Sequence, residues 1–303
     1  MLFTNKVQAL DGYGVHLLHP EEIITITPEF TNDQTFFITI PFSLFDRNHQ
    51  QWTNFFEYCQ KHRLTPIIRL TSRFENNHWT IPNKKEFIDG IDFINTLPWP
   101  EPRHVILFNE PNHAAEWAGS VDPVSFATVS LFAANWLNTE EKDYFVLLAG
   151  LDAAAPNSAV AMDNLTFMRH MFEAEPTLLN AIDGWVSHSY PNPDFTSSVY
   201  STTKQGIRGF VYELDLLSQL GRPDLPVFIT ETGWRQTPLT IRSLLRYFQY
   251  AHENVWSHPQ IKAVTFFLLQ GNPGPFAEFS LLDPEGLPTA QLDALDHILG
   301  IKD

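Results

Sequence analysis

Eight short apolar runs, rich in β-branched and aromatic residues, punctuate the chain: YGVHLL (13–18), TFFITI (35–40), PIIRL (66–70), HVILFN (104–109), YFVLLAG (144–150), GWVSHS (184–189), PVFITE (226–231) and AVTFFLL (263–269). From the third onward the runs start about 36–42 residues apart. That is room for a strand, a loop and a crossover helix. Helical patterns lie between them at 47–63, 84–97, 122–138, 206–221 and 240–256. Asp122 is placed to cap the third of these, with Pro123 at the first helical position. The first unit is short, with a brief helix near 20–23. Near-continuous apolar strands belong in a sheet covered on both faces. Eight such units predict an α/β fold, a single (β/α)8 barrel over residues 1–303 as one domain. A doubly wound open sheet is the structural alternative, but no glycine-rich phosphate loop follows any run.

Composition narrows the function classes. Hydrophobic residues make up 44% of the 303 and charged residues 18%, enough for a large core. A net charge of −16 repels phosphate backbones, so nucleic acid is not an expected partner, and strongly anionic polymers are disfavoured as substrates. No run approaches the roughly 18 apolar residues of a membrane span. The opening MLFTNKVQALDGYG has no apolar core of a signal peptide. The compartment stays open: a soluble cytoplasmic protein by default, a secreted mature domain otherwise, and a monomer by default. Cys59, the single cysteine, reads as a buried small residue in a helix. N-L-T at 164–166 has the form of a glycosylation acceptor, meaningful only in a secretory compartment. His258, before a proline, reads as solvent-facing.

Two glutamates stand where apolar strands give way to loops: Glu110 in ILFNEPNH and Glu231 in VFITETGW. In a barrel all strand C-termini open on one face, where active sites are built. The two would converge there although about 120 residues separate them. A carboxyl pair so placed can protonate a leaving group with one member and attack, or activate water, with the other. A single glutamate after a strand is more often a helix N-terminal acid or a surface residue. Two of them, after the fourth and seventh strands in the contexts NEP and TETGW, make that reading weaker.

The ordered set of NEP, the H-x-Y of WVSHSYP (185–191) and the glutamate–Gly–Trp neighbourhood resembles the large clan of (β/α)8 retaining glycosidases, over roughly residues 13–272. By that resemblance Glu110 is the acid/base, Glu231 the nucleophile, and Asn109 binds the sugar 2-hydroxyl. Tyr190 becomes a hydrogen-bond donor near the nucleophile, and His188 holds sugar hydroxyls or Glu110. The implied activity is hydrolysis of β-linked oligo- or polysaccharides with retention, with carbohydrate as the ligand and no cofactor.

Arg69 in the third run would be costly unpaired and is expected to face a carboxylate. Many clan members carry an arginine after strand two, where this chain has Ile40 and Pro41. His16 is similarly placed in the first run and, with Gln270 after the eighth, is a candidate substrate contact. Trp117 and Trp234, close in sequence to the glutamates, are the preferred stacking platforms, and Trp79 and Phe276 are as easily core or rim. The clan's tryptophan after strand eight is missing; Phe266, Phe267 and Gln270 stand there instead. Three alternatives remain: a non-catalytic carbohydrate-binding barrel, a transglycosylase using the same residues, and a metal-dependent barrel with His16, His188, Glu110 and Glu231 as ligands. The 12 histidines include no H-E-x-x-H, and no metal is expected. DGIDF (89–93) lacks the terminal glutamate of the chitinase-type motif and reads as a helix face.

Overall fold

The structure, a computed structural model, describes residues 12–26 and 35–301. The opening segment, with its expected lack of a leader, lies outside them as far as residue 11. Eight strands, β1 (Gly12–His16), β2 (Thr35–Ser43), β3 (Leu64–Thr71), β4 (Arg103–Leu107), β5 (Tyr144–Leu148), β6 (Gly184–Ser187), β7 (Val227–Thr232) and β8 (Ile261–Phe266), pair in parallel and close into a barrel, β1 meeting both β2 and β8. This is the (β/α)8 architecture expected from the repeat.

Around the barrel lie α1 (His49–His62), α2 (Lys84–Asn95), α3 (Pro123–Leu137), α4 (Asn164–Ala174), a single turn α5 (Leu178–Ala181), α6 (Gly209–Gln219), α7 (Leu244–Asn254) and α8 (Ala290–Ile298). Between β1 and β2 only a 3-10 helix, Pro20–Thr25, is described. Asp122 caps α3 as expected, accepting from the Ser125 N–H, with Pro123 opening the helix. The helical patterns in the sequence do not include α4, α5 or α8. α4 carries the N-L-T triplet, and Asn164 is buried, its amide donating to Glu213 Oε1 at 3.0 Å. The formal acceptor is therefore part of the core. His258 faces solvent only in part, half-buried with its ring against Phe210, and Cys59 is buried as expected.

Period-two alternation along each strand builds the barrel interior in layers. Phe37, Ile67, Ile106, Leu147, Val186, Phe228 and Ala263, from seven different strands, form an apolar plug. β1 answers the plug with glycine: a methyl on Gly14 would fall 1.8 Å from the Phe37 carbonyl oxygen. Two residues further along come Thr39 and Thr265, whose hydroxyls meet at 2.9 Å. Another step reaches the cleft: Phe37–Thr39–Pro41, Ile67–Arg69–Thr71 and Ala263–Thr265–Phe267 each climb from plug to mouth. The C-terminal end of the barrel thus stands on a close-packed floor. Among the described residues, no helix is long and apolar enough to cross a membrane.

Candidate active site

Glu110 does not sit on its strand. β4 stops at Leu107, two residues before the apolar run ends, because Phe108 takes φ +70° and Glu110 φ +31°. Such left-handed backbone is uncommon for residues other than glycine and is stored chiefly at functional sites. Here it turns the glutamate into the barrel mouth. Two bonds hold the turn: Glu110 N–H to the Gly150 carbonyl at 3.1 Å, and His113 N–H to the Glu110 carbonyl at 2.9 Å. Glu231, by contrast, lies inside β7, one residue from its end. Oxygens of the two carboxyl groups and a nitrogen of His188 all lie within 4.8 Å of one another.

Both glutamates line a cleft of about 680 Å³ at the C-terminal rim. Arg69 Nη1 donates to Glu231 Oε1 and, at 2.9 Å, to Asn109 Oδ1. The Tyr190 hydroxyl donates to Glu231 Oε2 at 3.1 Å. His188 Nδ1 is hydrogen-bonded to Glu110 Oε1 at 2.7 Å and stands 3.8 Å from Glu231 Oε2. The His188 ring fits because residue 150 is glycine; a methyl there would come within 2.3 Å of it. β6 ends at Ser187, so His188 and Tyr190 reach the site from the loop that follows the strand.

Electrostatics separate the groups. Burial acts to raise Glu231, but the charges of His188 and Arg69 outweigh it and hold the carboxyl at about 2. Burial acts to lower His188, yet Glu231 and the bond to Glu110 raise it overall. Burial, reinforced by Glu231, pushes Tyr190 far above the usual phenol range, so it stays a donor. Burial and Arg69 lower His16 to about 3, which keeps it neutral.

Four expectations from the sequence change: the platforms Trp117 and Trp234, and the substrate contacts His16 and Gln270. Trp234 is fully buried, packed on Tyr247, Phe248 and Trp256, with its indole N–H on the Ser197 carbonyl. Nearness in sequence to Glu231 does not bring it to the cleft, because Gly233 (φ +144°) intervenes and turns the chain away. Trp117 borders the cleft but is 1% exposed, wedged edge-on between Phe108 and Phe126, so it supports the wall and offers no face. His16 is fully buried beneath Glu231, its Nε2 3.7 Å from Glu231 Oε1. Gln270 is not among the described residues that line the cleft; Phe267 lines it from the end of β8, while Phe266 packs in the core. The aromatic rings offered at the cleft edge are instead the half-buried Trp79, on a two-stranded hairpin after β3, and the exposed Phe276 on the loop after β8. Glu116, which no motif or spacing singles out, also lines the cleft. Burial and the charge of Glu110 raise its carboxyl to about 7.

The trio Glu110, His188 and Glu231 has the spacing of a metal-binding set. A cation already lies against it, since the Arg69 guanidinium contacts Glu231, and His188 Nδ1 is engaged by Glu110.

No protein-family model matches the sequence, and no curated protein matches it. Solved structures do. A family 39 glycoside hydrolase from the gut symbiont Bacteroides cellulosilyticus WH2 aligns with a TM-score of 0.63 at 17% identity, covering 97% of this chain and 64% of that one. A glucosidase from Croceicoccus marinus aligns at 0.68 and 10% identity, covering 97% and 66%. An endo-beta-1,4-glucanase from Xanthomonas axonopodis pv. citri aligns at 0.61 and 13% identity, covering 96% and 99%. This chain is thus a (β/α)8 barrel of the same fold as these glycoside hydrolases, and it spans about two thirds of the length of the two larger ones.

Proposed function

We propose that the chain is a retaining glycoside hydrolase, one catalytic domain over 1–303, that cleaves β-linked glycosides through a glycosyl-enzyme. The spacing of the two carboxyl groups carries this reading. Their oxygens lie within 4.8 Å at the cleft floor. Retaining enzymes hold the pair about 5–5.5 Å apart, whereas inverting enzymes leave about 6.5–9.5 Å for a water. Glu231, held ionised, attacks the anomeric carbon. Glu110 gives its proton to the departing oxygen and later takes one from the incoming water, with His188 holding it in place. The Tyr190 hydroxyl and Arg69 fix the nucleophile's two oxygens. The fold likeness to solved glycosidases supports the same reading.

A glycan-panel digest tests it. Glu231→Gln should abolish product formation on every substrate the wild type cleaves, with thermal unfolding still cooperative. Glu110→Ala should lose most on glycosides with poor leaving groups and regain rate with added azide. Full turnover by Glu231→Gln would sink the assignment. Sugar acceptors added to the same digest separate hydrolysis from transglycosylation, since longer products accumulate only in the latter.

A further inference from the structure

Among the described residues, Glu116 is the cleft carboxyl without an ion-pair partner. Glu231 has Arg69, Glu110 has His188, Asp152 has His113 at 2.8 Å and Glu278 has Arg235 at 3.7 Å. Glu116 closes a single helical turn, Ala114–Glu116, on the loop after β4. Its place is set by that loop. The Ala114 N–H bonds the Val160 carbonyl at 2.9 Å, and the Ala118 N–H bonds the Trp79 carbonyl at 2.7 Å. The buried Trp117 ring is driven between Phe108 and Phe126. A desolvated carboxyl held beside two others has a use or it is a liability.

Asn109 supplies the use. Arg69 has only donors to offer, so the amide oxygen of Asn109 must face it, as it does at 2.9 Å. The amide nitrogen then points the other way, where Glu116 Oε2 accepts from it at 3.3 Å. Hydrogen bonds run in sequence from Glu116 through Asn109 and Arg69 to Glu231. An amide nitrogen carries two hydrogens, and Glu116 takes one. We infer that Glu116 is a positioning residue, which locks the Asn109 amide so that its second N–H meets the 2-hydroxyl of the sugar at the scissile bond. This rests on the glycosidase reading above. The contact of Asn109 with the 2-hydroxyl already follows from the resemblance to the clan; the addition is that Glu116 sets it. A 2-deoxy sugar offers that N–H nothing, and a 2-acetamido sugar turns a second N–H toward it. Protonation of Glu116 near neutrality does not undo the lock, because the carboxyl still has a lone pair to accept with.

The test compares wild type, Glu116→Ala, Glu116→Gln, Asn109→Ala and the Glu116→Ala/Asn109→Ala pair on aryl β-glycosides of the sugar the panel identifies, with and without its 2-hydroxyl. Misplacing a substrate-positioning group by about 1 Å can cost about 10²-fold. We expect Glu116→Ala to lose about 10- to 100-fold in kcat on the 2-hydroxy substrate, with a smaller change in KM, and nothing further on the 2-deoxy one. Glu116→Gln should recover most of the loss, since its carbonyl oxygen accepts the same bond. The double variant should be no slower than Asn109→Ala alone. Equal losses on both sugars, additive losses in the pair, or no loss in Glu116→Ala would each overturn the role of Glu116 while the glycosidase reading stands. A wild type that cleaves neither sugar overturns both.

Discussion

At Glu231 two opposing influences can be weighed. Burial alone would favour the neutral acid; His188 and Arg69 favour the anion and win, moving the carboxyl from 4.5 to about 2. A depressed folded-state pKa means the folded protein is stabilised by ionisation. That contribution is complete above the unfolded value and fades as pH falls from about 5 toward 2. His188 runs the other way: raised in the folded state, it contributes below its unfolded value of 6.5 and loses that contribution as pH rises. Chemical denaturation between pH 6 and 2 should therefore show wild type losing stability more steeply than Glu231→Gln across the acid range. Parallel curves would mean the Arg69–Glu231 contact contributes little to folding. The same pairing explains how this chain does without an arginine after β2. Arg69 on the neighbouring strand reaches Glu231, because β2 and β3 are in register with Pro41 beside Arg69.

Elements divide the aromatic side chains into two jobs. The hairpin after β3 lifts Trp79 to the cleft edge, half-buried and edge-on to Phe74, while its carbonyl ties down the loop that carries Glu116. Trp234 follows β7 but belongs to the layer between barrel and α7. The two should respond oppositely to truncation. Trp79→Ala removes one face worth about 0.5–1.5 kcal/mol of stacking, so KM should rise about 2- to 10-fold with the melting temperature held. Trp234→Ala empties a core position and should cost about 3–5 kcal/mol of stability, read by denaturant titration, with KM held in the folded fraction. A KM effect at Trp234 larger than that at Trp79 would reverse the assignment of platforms.

Across the whole molecule, charge and cleft point the same way. The chain carries −16, and the cleft is lined by Glu110, Glu116, Asp152, Glu231 and Glu278 against Arg69 and Arg235. On the proposed glycosidase function, such a site is expected to repel a uronate and admit a neutral glycan. Relative kcat/KM on a neutral β-glycan and a uronate-bearing analogue of the same linkage should favour the neutral polymer, and the gap should narrow as salt screens the repulsion. Faster cleavage of the uronate polymer would show that a local basic path governs entry.

The order of residues alone was enough for the barrel and its carboxyl pair. Apolar runs repeating at the length of a strand–helix unit leave few topologies, and a parallel closed sheet puts every strand end on one rim, so Glu110 and Glu231 had to approach each other. Arg69 was legible for a related reason: a guanidinium in an apolar run needs a carboxylate. The irregular loops were settled only in the folded chain. How Glu110 enters the mouth and how Trp234 leaves it depend on positive-φ positions at Phe108, Glu110 and Gly233, which no hydrophobic period encodes. Glu116 became visible only once Asn109 was seen held between it and Arg69. A hydrogen bond across a loop has no signature in spacing; it exists because packing around Trp117 brings its two ends together.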